Sequence, residues 1–313
     1  MEPAPFYSDI AEGPEGGAAW WLTAADGLRL RIAVWNAAPA PKGTVLIFPG
    51  RTEYAEKYGR LARELAARGY ASLSVDWRGQ GLADRLIEDD TATGHVHWFA
   101  DYQLDVQAVV EAARALNLPE PFYLIAHSMG GCIGLRALHN GLPVRAACFT
   151  APMWGIGMAP AMRPTAWAIA WGGTLMGLGK AYAPGTDAAG YVSTADFEDN
   201  TLTRDRDMWD YMKRHLEAHP ELLLGGPSLR WLREALRECR ALSQMPAPPQ
   251  PAIAFLGTNE RIVHPPAIYA QMARWPNGHL EVLPEGEHEV LMESPEKVAA
   301  LLGRMEEFFA AAP

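Results

Sequence analysis

The segment FYLIAHSMGG, Phe122 to Gly131, passes from apolar to glycine-rich with a single serine, Ser128, at the joint. A serine alcohol is a weak nucleophile until a base takes its proton, and that base needs a third group to orient it. Where a strand turns sharply into a helix, the first side chain is pushed outward, and the positions two before and two after must be small. Here they are Ala126 and Gly130, with Gly131 following, which makes a G-x-S-x-G elbow with alanine for its first glycine. At a helix N-terminus, free amides also favour developing negative charge. The competing reading is that Ser128 only caps that helix.

In such an architecture the nucleophile is followed by the acid and then the histidine. The stretch LEVLPEGEHEVLME puts His288 in the loop between the last apolar strand and the final helix. His264 and His279 fall elsewhere in the pattern, His279 at the wrong end of that strand, and His139, His215 and His219 sit in helical stretches. No aspartate follows Asp210, and the loop GTNERIV, where the acid is expected, offers only Glu260. Glutamate can accept the imidazole N–H and stabilise the imidazolium, on a slightly different loop path. Alternatively, Glu260 pairs with a nearby arginine and an acid from an earlier strand serves. An oxyanion hole needs two converging backbone N–H groups. Met129, after the serine, should give one and Arg51 the other, in FPGRTEY, where Gly50 lets the chain turn. The Arg51 side chain is free for a surface or salt-bridge role.

The elements that must position these residues are legible as runs. TVLIF, ASLSVD, FYLIA, AACFT, AIAFLG and LEVLP alternate with amphipathic stretches such as YGRLARELAARG and DYQLDVQAVVEAARALN. Continuous apolar strands separated by crossover helices predict an α/β fold, a mostly parallel central sheet covered on both faces. A hairpin from Trp20 to Trp35, turning at Asp26-Gly27, precedes it. From Pro152 to about Pro249 no such strand appears, and the segment closes on MPAPPQP. The expected division is a core of residues 1–151 and 248–313, with a helical cap, 152–247, inserted over the C-terminal edge of the sheet. TAWAIAWGGTLMGLG has two compatible readings, the core of the cap and the wall of an acyl-chain groove. On the second, Trp154, Trp167 and Trp171 are candidate substrate-binding residues.

Composition narrows the function classes. With 49% hydrophobic and 20% charged residues there is ample material for a core and no case for disorder. A net charge of −10 without any Lys/Arg run argues against nucleic acid and stable docking on anionic membranes, leaving at most transient membrane contact through the cap. Cys132, Cys148 and Cys239 are scattered without CxxC spacing, and the N-terminus lacks a basic and apolar leader, so a cytoplasmic protein is expected. His95 and His97 lack companions at ligand spacing, and GQG lacks the third glycine of a dinucleotide turn. Asp76 is expected to organise the DWRGQG turn. No metal or organic cofactor is implied, the expected partner is a small-molecule acyl ester, and nothing in the chain signals an oligomeric state.

Together FPGRTEYAEKYGR, DWRGQGLADR, HSMGG, NTLTRDRDMWDYMKRHLEAHPELLLGGPSLRWL, GTNERIV and GEHEVLME resemble the bacterial lysophospholipase and monoacylglycerol lipase group of the α/β-hydrolases. The resemblance runs from about Thr44 to the end, cap included. It implies Ser128 as nucleophile, His288 as base, Glu260 where relatives usually carry aspartate, and Gly50 as the oxyanion-loop glycine. It also implies cleavage of a single-chain acyl ester, a lysophospholipid or a monoacylglycerol. The rivals are a short-chain carboxylesterase and a non-catalytic binding protein on the same scaffold; a dehalogenase would need aspartate at the elbow.

Overall fold

The computed structural model describes residues 1–37 and 40–313. Its strands are β1 (Glu2–Ala4), β2 (Ala18–Thr23), β3 (Arg29–Trp35), β4 (Thr44–Phe48), β5 (Ala71–Asp76), β6 (Phe122–His127), β7 (Ala147–Thr150), β8 (Ala252–Gly257) and β9 (Gly278–Leu283). They form one sheet in the order β1-β2-β3-β5-β4-β6-β7-β8-β9. The first three strands are antiparallel to their neighbours, and every pair from β5-β4 to β8-β9 is parallel. The helices are α1 (Ser8–Ala11), α2 (Gly59–Ala67), α3 (Tyr102–Ala115), α4 (Met129–His139), α5 (Arg163–Leu175), α6 (Tyr191–Thr194), α7 (Arg206–Ala218), α8 (Leu229–Ser243), α9 (Pro265–Ala273) and α10 (Pro295–Ala311).

The period-two geometry of a strand sends alternate residues to opposite layers. Val45, Ile47, Tyr123, Ile125, Ile253 and Phe255 pack with Leu61 and Leu65 of α2 and with Leu301, Leu302, Met305 and Phe309 of α10. Leu46, Phe48, Leu124, Ala126, Ala254 and Leu256 pack the other way, with α3, α4 and α9. Both faces are buried, which is why these strands read as unbroken apolar runs. Each fully buried large side chain contributes about 1.5–3 kcal/mol.

The sheet and the segment after β4 are locked by a buried ion cluster. Arg31 of β3, fully buried, donates from Nε to Asp76 (2.7 Å) and from Nη2 to Glu56 (2.6 Å). Asp76 also accepts the amides of Ala55 and Leu82, both at 2.8 Å, so it organises the turn after β5 as its position in DWRGQG suggests. Between β7 and β8 the chain adds no strand to the sheet and contains α5 to α8. There α7 is anchored to the N-terminal region through the Tyr211 hydroxyl, which donates to the carbonyls of Ala11 (2.9 Å) and Glu56 (3.1 Å). Among the described residues no helix is long and apolar enough to cross a membrane.

Candidate active site

Ser128 follows β6 directly and precedes the first residue of α4. Its backbone is at φ 48°, ψ −116°, a region that costs a non-glycine residue about 1–3 kcal/mol and persists only where the surroundings impose it. They do so here. A Cβ on Gly130 would lie 2.0 Å from the Phe48 carbonyl oxygen and 2.5 Å from that of Pro49, and one on Gly131 would meet Pro152 at 2.5 Å. The small residues therefore let the start of α4 press against the end of β4, and that contact brings the serine beside the segment after β4.

His288, after β9, is buried, and its Nε2 lies 2.9 Å from Ser128 Oγ. Its Nδ1 lies 2.7 Å from Glu260 Oε2. A carboxylate can only accept, so Nδ1 carries the proton and Nε2 presents its lone pair to the serine hydroxyl. The other oxygen, Oε1, accepts the amides of Ile262 (2.6 Å) and Val263 (2.9 Å). Burial pushes the Glu260 carboxyl up, but the His288 hydrogen bond and charge and these amides outweigh it, and the group titrates below its ordinary range. The neighbouring Arg261 pairs with Asp199 (3.1 Å), not with Glu260. The structure thus brings together Ser128, His288 and Glu260.

The segment after β4 is held by residues that sequence inspection passed over. Trp77 Nε1 donates to the Pro49 carbonyl (2.9 Å), and Gln80 Nε2 donates to the carbonyls of Gly50 (2.8 Å) and Glu53 (3.0 Å). The Gly50 amide donates to the Glu53 carboxylate. In a trans peptide the N–H points opposite to the C=O. Fixing the Gly50 carbonyl on Gln80 therefore fixes the direction of the Arg51 amide. Neither that amide nor the Met129 amide donates to any protein acceptor among the described residues.

Beneath this segment lies a buried charge cluster. Lys57 Nζ is 2.5 Å from Glu53 Oε1 and 2.6 Å from Glu289 Oε1, and the Tyr58 hydroxyl donates to Glu53 (2.5 Å). His127 Nδ1 donates to the Thr150 carbonyl (3.0 Å). Its Nε2 approaches Glu289 Oε2 at 3.3 Å without the alignment of a hydrogen bond, so the contact is electrostatic. Burial lowers the His127 pKa, yet the charges of Glu289 and Glu53 prevail and it stands above its ordinary value. Glu53, His127 and Glu289 could by geometry chelate a cation, but the Lys57 ammonium already binds both carboxylates.

Ser128 and His288 open on a cavity of about 540 Å³, within the usual size of ligand pockets, about 300–1,000 Å³. Its apolar wall includes Val192, Leu202, Met212, Leu216, Leu224 and Ile262. Trp154, Trp167 and Trp171, the expected wall residues, do not line it. Trp154 is core: its indole donates to the Gly131 carbonyl (3.1 Å) and its ring packs on Phe149 and Trp275. Trp167 and Trp171 stack on each other at 4.4 Å on α5, with Arg233 over Trp171. The 185–192 segment, the 201–202 turn and α7 take their place. His95 is likewise structural, its Nδ1 2.8 Å from the Ser228 hydroxyl.

Comparison with known proteins places this geometry. Residues 39–295 match the model of the family described as serine aminopeptidase, S33. The probable lysophospholipase L2 of Haemophilus influenzae is 30% identical over 256 residues, covering 81% of this chain and 79% of that protein. Lysophospholipase L2 of Escherichia coli is 32% identical over 217 residues, covering 69% of this chain and 62% of that protein. In structure, a soluble variant of the monoglyceride lipase of Saccharomyces cerevisiae, solved with a substrate analogue, superposes with a TM-score of 0.69 at 19% identity, over 92% of this chain and 93% of that one.

Proposed function

The chain belongs to the serine aminopeptidase, S33, family of α/β-hydrolases, and we propose that within it this protein cleaves single-chain acyl esters, lysophospholipids or monoacylglycerols, through an acyl-enzyme on Ser128. The observation that carries the reading is the relay from Ser128 Oγ through His288 (2.9 Å) to Glu260 (2.7 Å). In it, Ser128 Oγ attacks the ester carbonyl while His288 Nε2 takes its proton, and the negative charge forms on the carbonyl oxygen. The Arg51 and Met129 amides are free to stabilise that charge, which is worth more in a site shielded from water. Collapse of the adduct breaks the bond to the alcohol, which leaves with the proton held by His288. Water, deprotonated by His288, then releases the fatty acid and restores the serine. Glu260 stays ionised throughout and holds the imidazole in the tautomer the cycle needs.

The substrate class is supported by the names of the relatives and by an apolar wall suited to an acyl chain. Transient contact with a lipid surface belongs to the same proposal. Around the end of α5, Leu175 is 80% exposed and Met176 73% exposed, an apolar tip that water disfavours. Three buried, unpaired cysteines support placement in a reducing cytoplasm. The test is fatty-acid release from a lysophosphatidylcholine, a monoacylglycerol and a short nitrophenyl ester, by the protein and by its Ser128→Ala variant. Long-chain turnover that the variant loses is expected. Turnover of the short ester alone would replace the lipid assignment by a carboxylesterase, and ligand binding without turnover would remove the enzyme reading.

A further inference from the structure

Arg31 and Arg78 are buried and Arg51 and Arg85 half-buried, and their partners differ, Arg78 being neutralised by Asp105 (2.6 Å) and Asp26 (2.8 Å). Arg31 is neutralised by Asp76 and Glu56, as described above. Arg85 meets no carboxylate, but it is satisfied by the carbonyls of Gly79, Gly81, Glu221 and Leu223. Arg51 has neither arrangement. Its Nη1 donates to the Gly225 carbonyl (2.8 Å), its guanidinium stands 5.7 Å from the Trp231 ring centre, and no carboxylate among the described residues pairs with it. A guanidinium carries five N–H donors, so most of its capacity is unspent.

Arg51 lines the same cavity as Ser128, and the Gly225 that its guanidinium bonds is another lining residue. Three glycines bring the surrounding loops close: a Cβ on Gly94 would sit 3.1 Å from Arg51 Nη1, and those of Gly225 and Gly226 would strike the 186–188 segment. The other charges of the cavity do not neutralise it. Glu53 and Glu289 are engaged by Lys57, and Asp187, on the same wall, makes no ion pair with Arg51. Burial lowers the Arg51 pKa to about 10, with the Tyr102 ring site a smaller opposing influence, so the group stays a cation at neutral pH.

We propose that the Arg51 side chain binds the phosphate of the substrate head group, which makes the cavity a lysophospholipid site in preference to one for uncharged monoacylglycerols. This rests on Ser128 acting as the esterase nucleophile. The geometry is economical, because one residue faces both ends of the polar part of the substrate. The Arg51 amide is the oxyanion donor of the proposed mechanism, and the glycerol backbone that separates ester from phosphate is similar in length to the aliphatic stem that separates that amide from the guanidinium. A phosphodiester offers two oxygens to the planar fork, the arrangement in which arginine binds most strongly and lysine less well.

The experiment compares kcat/KM for a lysophosphatidylcholine and a monoacylglycerol of the same acyl chain, in the same detergent, for the wild type, Arg51→Gln and Arg51→Lys. The backbone amide survives both substitutions, so the ratio between the two substrates isolates the side chain. We expect the ratio to fall about tenfold or more in Arg51→Gln, chiefly through the KM of the phospholipid, with Arg51→Lys between. A second arm tests sn-glycerol 3-phosphate, inorganic phosphate and glycerol as inhibitors of short-ester hydrolysis by the wild type. Competitive inhibition by glycerol 3-phosphate but not by glycerol is expected, and if Arg51→Gln does not fold, its absence overturns the proposal. A ratio unchanged within about twofold overturns the head-group role, including where inorganic phosphate inhibits, since Arg51 would then bind only a free anion. Failure of the wild type to cleave either lipid would instead defeat the functional reading and this inference with it.

Discussion

Shortening Glu260 by one methylene tests whether the relay depends on the reach of this side chain. Its carboxylate bridges two places, His288 Nδ1 at 2.7 Å on one oxygen and the Ile262 and Val263 amides at 2.6 and 2.9 Å on the other. Glu260→Asp withdraws the carboxylate by about 1.5 Å, one C–C bond. If the aspartate keeps the amides, the distance to Nδ1 rises to about 4 Å, beyond hydrogen bonding. A charge-assisted hydrogen bond is worth about 1.5–3 kcal/mol net, and its loss as the imidazolium forms predicts a kcat/KM lower by about 10- to 150-fold. Glu260→Gln keeps the length but removes the charge and no longer enforces the tautomer, and replacement of a triad carboxylate by its amide costs about 10⁴-fold in the serine protease precedent. The order of activity should therefore be wild type, Asp, Gln. The assay is steady-state hydrolysis of a short nitrophenyl ester from about pH 5 upward, with circular dichroism to check folding. The depressed Glu260 pKa fixes a sign: what the charged form contributes is present above the ordinary carboxyl range and lost only as pH falls through the lowered value. An acid limb above about pH 5 should accordingly belong to another group. Wild-type kcat/KM in the aspartate variant, or a glutamine variant more active than the aspartate one, would refute this account of the bridge.

Three further outcomes follow from the same geometry. Gln80→Leu should lower kcat about 10²-fold with little change in KM, because it releases the Gly50 carbonyl that sets the Arg51 amide; an unchanged kcat would show that Trp77 and Glu53 hold the segment without it. Gly130→Ala places a Cβ 2.0 Å from the Phe48 carbonyl oxygen, so it should lower both Tm and kcat, and a variant equal to wild type in both would contradict the contact. His127, whose pKa the charges of Glu289 and Glu53 hold up against burial, contributes stability that is fully present below about pH 6.5 and lost as pH rises through the raised folded value. The urea midpoint of the wild type should thus fall on the alkaline side more steeply than that of His127→Gln, and parallel curves would argue against a charged His127.

What could be read from the residues alone is what local constraint dictates. The elbow demands small neighbours at fixed offsets, and Ala126, Gly130 and Gly131 supply them. The contact of Glu260 with His288 was legible by elimination, since GTNERIV holds a single carboxylate. The parallel strands were legible because both faces are buried, which leaves an apolar run with no polar alternation. The cavity wall was not legible. An aromatic-rich stretch says that a side chain will be buried, not against what, and the choice fell to tertiary packing. Trp154 found an acceptor in Gly131 and ring partners in Phe149 and Trp275, so it went into the core. The less conspicuous Leu202, Met212 and Leu216 line the cavity instead.

The charges beneath the active site were hidden for a different reason. Glu53 and Lys57 stand four apart, a spacing that on a sequence suggests a solvated helical pair worth a few tenths of a kcal/mol. In the fold both are buried, and Glu289, distant in sequence, completes the cluster. A buried ion pair is weak evidence for stability, because desolvation cancels much of its attraction. The case for this one rests on where it acts. Glu53 accepts the Gly50 amide, and Gln80 accepts none of that load but holds the Gly50 carbonyl, so the two peptide units around Gly50 are pinned from both sides. An apolar replacement could fill the space and leave the protein as stable, yet it would offer no acceptor to the Gly50 amide. Gln80 and Trp77 would then hold the segment without Glu53, and an oxyanion donor gains its effect from being aimed before the charge appears. On this argument the cluster stabilises a direction more than it stabilises the fold.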